Sequence, residues 1–550
     1  MRRTWVIPAV PVILTASLVA HGSPALAAPR SGATPVVSAG PPAGRGPGSV
    51  AEVTLITGDR VRVVTGPGGR QSAQVEAGYA RPGVSYAERT IPGPGHAADL
   101  LVIPSDAAGL IGSGRLDENL FDVSELVRGG YTDADTASLP LIFSYPRAGA
   151  PDFAPTTHGM AVITRALPSI DGAAVSEAKA SAAQFWVSLT RPAAGGSGPL
   201  ALTPQVAKVW LDGRVSAAGD AASPRPTAST RLAAPWRPAT AAQPAPSSRL
   251  ADLTGQGVLV ADLDTGYDTA SPDLQGVVAG SADFTGSADG IQDKDGHGTW
   301  TASIIAGSGT ASGGQHHGVA TGAQLLIGKV LADDGSGTES QVIAGMQWAA
   351  AQHAKIVNMS LGFSSPVICE DGTDPVSQGL DSLSAADGTL FVVAAGNLGQ
   401  LGPGTVESPG VATSALTAGA VDARGKLAFF SSTGPRCGDD AVKPDVTAPG
   451  VGVVNADYTR ASGSRDAFPS GCATSRWPCC GRTSASRVRP WGSSTSGTLR
   501  WARPKPRSAS SPLPSSSSPP RAAPSPSTCH PASGRRPAST STARLPTRPG

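Results

Sequence analysis

Between residues 258 and 395 the chain repeats one pattern: a short apolar run, a turn rich in glycine and aspartate, then a stretch of helix-forming composition. The apolar runs are 258–263, 325–331, 356–361 and 391–395, and residues 299–306, 340–354 and 376–386 read as helices between them. Runs this short, bounded by turn residues, suit strands buried on both faces. Strands alternating with helices predict an α/β fold, a doubly wound parallel sheet with helices on both faces. In open sheets of that kind, reactive groups collect at the carboxyl ends of the strands.

Polar residues stand where that rule would put them. Asp264 ends the first run in Leu263-Asp264-Thr265-Gly266, and His297 precedes a helix in Asp295-Gly296-His297-Gly298-Thr299. Asn397 follows the last run in Ala394-Ala395-Gly396-Asn397. Acid, histidine and amide, with a serine to follow, is the chain order of one of several unrelated serine-hydrolase arrangements. A serine hydroxyl is a weak nucleophile until a neutral imidazole takes its proton, so His297 is the candidate general base. An imidazole that must hold one tautomer and then carry a positive charge needs a fixed carboxylate behind it, the role read for Asp264. Attack on a carbonyl creates an oxyanion to which the Asn397 side-chain amide can donate; one such donor is worth about 10²–10³ in turnover. Gly296 and Gly298 would let a substrate backbone pass close to the imidazole.

Each motif alone is a common turn or loop; the three in one order are not. With residues 258–268 and 391–397 around them, they resemble the subtilisin-like serine peptidases (subtilases), in particular large secreted bacterial members with a pro-region. The resemblance is clear from about residue 250 to 450. Residues 356–362 resemble the segment lining the primary specificity pocket, which implies substrate contacts for Ser360, Leu361 and Gly362. Residues 443–450 resemble the segment preceding the family's nucleophile. Trp300 departs from the pattern, because a second histidine usually follows His-Gly-Thr. Residues 322–331 and 359–363 are expected to present edges to an extended substrate, which favours polypeptide over a small ester.

Arg2 and Arg3, an apolar segment and the small residues around Ala27 read as a secretory signal spanning 1–27, and no later stretch is apolar enough to span a membrane. A net charge of +2 gives no warrant for nucleic-acid binding. Export permits disulfides. Of the six cysteines only Cys369 and Cys437 lie in the recognisable catalytic region, so they are expected to pair. Cys479-Cys480 has no matching ligand cluster, and no metal or other cofactor is expected. Asp289, Asp293 and Asp295 lack the spacing of a calcium loop and read as solvated surface, leaving structural calcium without a supporting motif.

Residues 28–50 form a flexible lead-in of Ala, Pro, Gly and Ser. Residues 51–215 read as a β-rich pro-region, with a hairpin turning at 57–60, strands at 100–103 and 139–145, a short helix at 105–111 and a terminal hairpin at 206–215 around Asp212-Gly213. Helical patterns elsewhere in it are weak. Its position before the enzyme suggests an intramolecular inhibitor or folding chaperone. Residues 216–248 read as an exposed linker and the place of its removal, and 249–475 as the catalytic domain.

After Pro449-Gly450 the family's Gly-Thr-Ser-Met-Ala is missing. Two fragments remain, around Ser464 and around Ser475, and residues 476–550 are a Ser, Pro and Arg tail with little periodicity. Such a tail reads either as a disordered basic extension or, the preferred reading, as the product of a reading-frame disruption. Read from the third base of each codon, Arg476-Trp477-Pro478 allows Met-Ala directly after Thr474-Ser475. Residues 485–494 likewise allow Val-Ala-Gly-Ala-Ala-Val-Gly-Leu-Leu, which resembles the helix after the nucleophile. Ser475 is therefore the preferred nucleophile and Ser464 the runner-up. The expected protein is a secreted, monomeric serine endopeptidase acting on polypeptide, without nucleic-acid or membrane partners; the alternative is a catalytically inactive module that binds polypeptide.

Overall fold

The computed structural model describes residues 48–453 except 79–80, 82, 92–97, 147–158, 193–199, 219–252, 364–369, 423 and 452. The signal sequence, Cys369, Ser464, Ser475 and the tail lie outside the described residues.

The N-terminal region is built from antiparallel strands. Strands β1 (Val50–Thr54), β2 (Arg60–Thr65) and β3 (Gln71–Glu76) form one sheet, with the expected hairpin turn between β1 and β2. Strand β4 (Tyr86–Ile91) pairs with β5 (Asp99–Pro104), and helices α1 (Ala108–Gly112) and α2 (Val123–Arg128) follow. Next come β6 (Ser138–Ser144), β7 (Ala161–Leu167), β8 (Gly172–Ala178), α3 (Ala182–Leu189), β9 (Thr190–Pro192), β10 (Leu200–Leu202), β11 (Lys208–Leu211) and β12 (Arg214–Ala217). A four-stranded sheet runs β11-β6-β8-β7. Phe121, Phe143, Phe185 and Trp186 fill the core of this region.

Two helices here escape the periodicity argument because they are short. Helix α2 has six residues and starts on the Asp122 carboxylate, which accepts the Glu125 N–H at 2.9 Å. Helix α3 buries Ala182, Phe185, Trp186 and Leu189, one face at helical spacing over only two turns.

The catalytic region contains β13 (Leu259–Asp264), β14 (Val278–Asp283), α4 (His297–Ala306), β15 (Gln324–Lys329), β16 (Ser336–Thr338) and α5 (Glu339–Ala351). It continues with β17 (Ile356–Met359), β18 (Leu361–Phe363), α6 (Pro375–Asp387), β19 (Leu390–Ala394), β20 (Leu416–Val421) and β21 (Val446–Pro449). Seven strands form one sheet in the order β14-β15-β13-β17-β19-β20-β21, with every neighbouring pair parallel. Successive residues of β13 serve opposite faces. Val260 shares a core with Ala302 and Ala306 of α4, whereas Ala261 and Leu263 belong to the core that holds Val342, Met346 and Val376 of α5 and α6. The chain is thus the α/β protein its patterning predicts.

Ile142, Leu167, Ile170 and Trp210 of the N-terminal region share that second core with α5 and α6. Polar contacts hold the same seam: Ser169 N donates to Gln347 Oε1 at 2.9 Å and Arg165 Nη2 to Phe284 O at 2.9 Å. Asp212 accepts Ser340 N and Oγ at 2.8 and 2.6 Å, in the first turn of α5.

The topology corrects three expectations. Residues 206–215 do not form a hairpin: β11 joins β6, whereas β12 crosses to pair with β16 and β18. Ser216 and Ala217, assigned by composition to the linker, belong to β12, because the pairing of this strand decides their conformation. Residues 322–331 present no edge, since β15 is paired on both sides by β13 and β14; the edges are β16 and β18.

One buried acid makes the N-terminal region pH-sensitive. Glu177 of β8 is fully buried, neither carboxyl oxygen has a hydrogen-bond partner among the described residues, and burial pushes it up from 4.5 to about 8. A carboxyl raised on folding contributes stability below its unfolded value and loses it as pH rises through the folded one, by at most about 1.4 kcal/mol per pH unit. Asp122, pushed up to about 7 by burial, acts the same way over a lower window. Urea midpoints should therefore fall from pH 5 to pH 8.5, and Glu177→Gln should make the fall shallower throughout and remove most of it between pH 7 and pH 8; an unchanged slope in that variant would contradict this account.

Candidate active site

Strand β13 delivers Asp264 to the carboxyl end of the sheet, fully buried. Helix α4 starts with His297 itself, two residues earlier than the composition indicates, and turns its imidazole onto that acid. Nδ1 lies 2.8 and 2.9 Å from Asp264 Oδ1 and Oδ2, so Nε2 is the ring nitrogen turned away from that acid. The Thr265 N–H also donates to Asp264 Oδ1 at 2.7 Å, so this carboxylate is held from two directions.

Each flanking glycine has a backbone reason of its own. Gly296 takes a φ of +109° before the helix, a conformation glycine adopts without strain. A Cβ on Gly298 would lie 2.2 Å from Gly266 O, so there is a close approach between the loops that carry Asp264 and His297.

Asp293 ties those loops together and is buried, which overturns its reading as solvated surface. It accepts from Thr265 Oγ1 (3.0 Å), Asp295 N (3.1 Å), Gly296 N (2.8 Å) and both N and Oγ1 of Thr299 (2.9 and 2.6 Å). Asp289, by contrast, is exposed and lies 3.4 Å from Lys294 Nζ. No group of acids, histidines and cysteines that could hold a metal occurs among the described residues.

A second buried acid stands two residues before Asp264 on the same face of β13. Asp262 accepts Asn358 Nδ2 at 2.9 Å and Thr301 Oγ1 at 2.8 Å. Burial, with the charge of Asp264 adding to it, pushes Asp262 up to about 7. Lys329, fully buried, supplies positive charge nearby through Thr265 O at 2.6 Å and Asp333 Oδ1 at 2.9 Å. Trp300 places its ring centroid 5.9 Å from that of His297.

A cleft runs between β16 and β18, and β12 fills it as an antiparallel third strand. Ser216 lies opposite Ser336 on one side and Gly362 on the other, and Ala217 lies opposite Leu361. The Ala218 N–H donates to Ser360 O at 2.7 Å, and Ala218 O sits 3.3 Å from His297 Nε2. The structure thus brings Asp264, His297, Ser360, Leu361 and Gly362 to one extended segment. Asn397 lies on the loop after β19, where its backbone N–H donates to Glu407 Oε2 at 2.6 Å. Cys437 is disulfide-bonded.

Asp262 and Glu407 carry no assignment from the sequence, and Asp293 carries the wrong one. An acid inside an apolar run signals Asp262 and the Asp-x-Asp-Gly-His run Asp293; Glu407 has no local signal.

Comparison with known proteins agrees with this geometry. A model of the Subtilase family matches residues 255–476. The chain is 37% identical over 217 residues to serine protease AprX of Bacillus subtilis, a match covering 37% of this chain and 48% of AprX. It is 42% identical over 163 residues to Pyrolysin of Pyrococcus furiosus, covering 25% of this chain and 11% of that protein. With Subtilisin Savinase of Lederbergia lenta the identity is 36% over 219 residues, covering 40% of this chain and 72% of the relative. The chain belongs to the subtilase family. It spans about half the length of AprX and about a tenth of that of Pyrolysin.

Removing the Asp293 carboxylate should leave several buried donors unpaired. Asp293→Ala is expected to cost about 3 kcal/mol of stability or more. A denaturation curve superimposable on that of the unsubstituted chain would show that the loops hold without it.

Proposed function

We propose that the chain is a secreted serine endopeptidase made with its own N-terminal region as a pro-region lying in the cleft. The observation that supports this best is the Asp264–His297 pair facing a carbonyl of a strand-paired segment, Ala218 O at 3.3 Å from Nε2. A polypeptide bound like β12 gains backbone hydrogen bonds along both cleft edges, which favours extended peptide over a small ester.

In this reading the hydroxyl of Ser475, or of the runner-up Ser464, attacks the carbonyl carbon while His297 takes its proton and Asp264 stabilises the imidazolium. Asn397 donates to the oxyanion. Collapse breaks the C–N bond, and the departing amine takes the proton from His297. Water then hydrolyses the acyl-enzyme by the same base.

The written chain follows Ser475 with Arg476-Trp477-Pro478, and without its serine a catalytic apparatus of this kind loses about 10⁶ in turnover. Sequencing codons 455–500 should restore a Gly-Thr-Ser-Met-Ala-like phrase. If it does, the restored protein should label with a serine-reactive phosphonate and lose the label with His297→Ala. Folded protein that neither labels nor hydrolyses casein would instead be the inactive polypeptide-binding module. The bond after Ala218 is the expected self-cleavage site, so the mature chain should begin at Gly219; a start elsewhere, with Ala218–Gly219 intact, would refute that register.

A further inference from the structure

Gly362 and Gly396 both face one carboxyl group, that of Glu407. A Cβ on Gly396 would lie 1.8 Å from Glu407 Oε2, and one on Gly362 would lie 3.5 Å from Oε1. The Asn397 N–H donates to Oε2 at 2.6 Å, and Glu407 N donates to Ala395 O at 3.0 Å. Among the described residues Glu407 has no ion-pair partner. Burial pushes it up to about 7, with the Asn397 N–H working against the shift and no charged group facing it from β18 or from the loop after β19.

Strand β12 indicates which way a substrate side chain points. Ser216 lies directly opposite Gly362, and opposed residues of an antiparallel pair project to one face, as does the residue two further along. Val215 and Ala217 project the other way, into the core with Leu361 and Phe363. Ala218, whose carbonyl faces His297, is therefore on the side of Glu407.

We propose that Glu407 is a specificity-determining residue that accepts the guanidinium or ammonium group of an arginine or lysine immediately before the bond to be cut. The inference rests on the peptidase reading above. A carboxyl already withdrawn from water lacks only its cation. A basic side chain supplies that partner, an apolar one leaves the carboxylate unpaired, and an acidic one repels it. The methyl group of Ala218 brings no partner.

The test uses the cleft's own occupant and needs no turnover. In full-length chain carrying His297→Ala, which cannot cut itself by this mechanism, unfolding is measured at pH 8 for Ala218→Arg, Ala218→Met and Ala218→Glu, each with Glu407 and with Glu407→Gln. Glutamine keeps an acceptor for the Asn397 N–H. Ala218→Arg should raise the folding equilibrium constant about tenfold over Ala218→Met, and Ala218→Glu should lower it. Both differences should vanish with Glu407→Gln. If Arg is no better than Met, or its advantage survives Glu407→Gln, the proposal fails. Should Glu407→Gln not fold, the Arg-against-Met comparison decides with Glu407 present. Failure to cleave any of a panel of peptides would count against the peptidase reading alone, because the Ala218 series reads binding.

Discussion

A carboxylate withdrawn from water at the end of a buried strand is tolerable only if donors surround it, and much of the catalytic region is organised to supply them for Asp264. The His297 imidazole closes on it from α4, and the Thr265 N–H reaches it from its own loop. Two more buried acids stand close by. Asp293 gathers donors from both loops, and Asp262 is satisfied by Thr301 and Asn358. Lys329 supplies cationic charge from β15, anchored on backbone carbonyls and on Asp333. The imidazole can hold one orientation because the chain around it has few other ways to satisfy these groups.

The N-terminal region exploits the same end of the sheet. Two short edges, β16 and β18, leave backbone groups unpaired, and an extended strand is the natural complement to such edges. β12 supplies it, while the four-stranded sheet behind rests on α5 and α6 through Ile142, Leu167, Ile170 and Trp210. Asp212 accepts the first-turn N–H and hydroxyl of Ser340 in α5, adding a negative charge where the helix dipole favours one. The apolar seam and the strand pairing act together, since placing the sheet on the helices also sets the register of β12 in the cleft.

The alternation of apolar runs and helices carried the order of the catalytic sheet elements, because each run is long enough to show its period and is bounded by glycine or aspartate. Asp264 and His297 were legible for the same reason: each adjoins an element end. Helices α2 and α3 were not, since one or two turns give no period to detect. The partners of β12 were also hidden. Nothing in Arg214-Val215-Ser216-Ala217 distinguishes a hairpin arm from a strand that joins β16 and β18, more than a hundred residues away in the chain. Gly298 looked like an allowance for substrate because its chain neighbour is the histidine; its spatial neighbour is Gly266 O.

Local composition and period by themselves determined the α/β class of the subtilase-like region, the positions of the acid and the histidine, and the change of composition after residue 475. These depend on neighbours in the chain, which a sequence displays. Tertiary structure alone decided that Asp293 is a buried tie rather than a surface acid, that Ala218 presents its carbonyl to His297, and that Glu407 lies beside Gly362 and Asn397. Those facts depend on which distant backbones approach one another, and that is set by burying the shared core and pairing the strand edges across the whole fold.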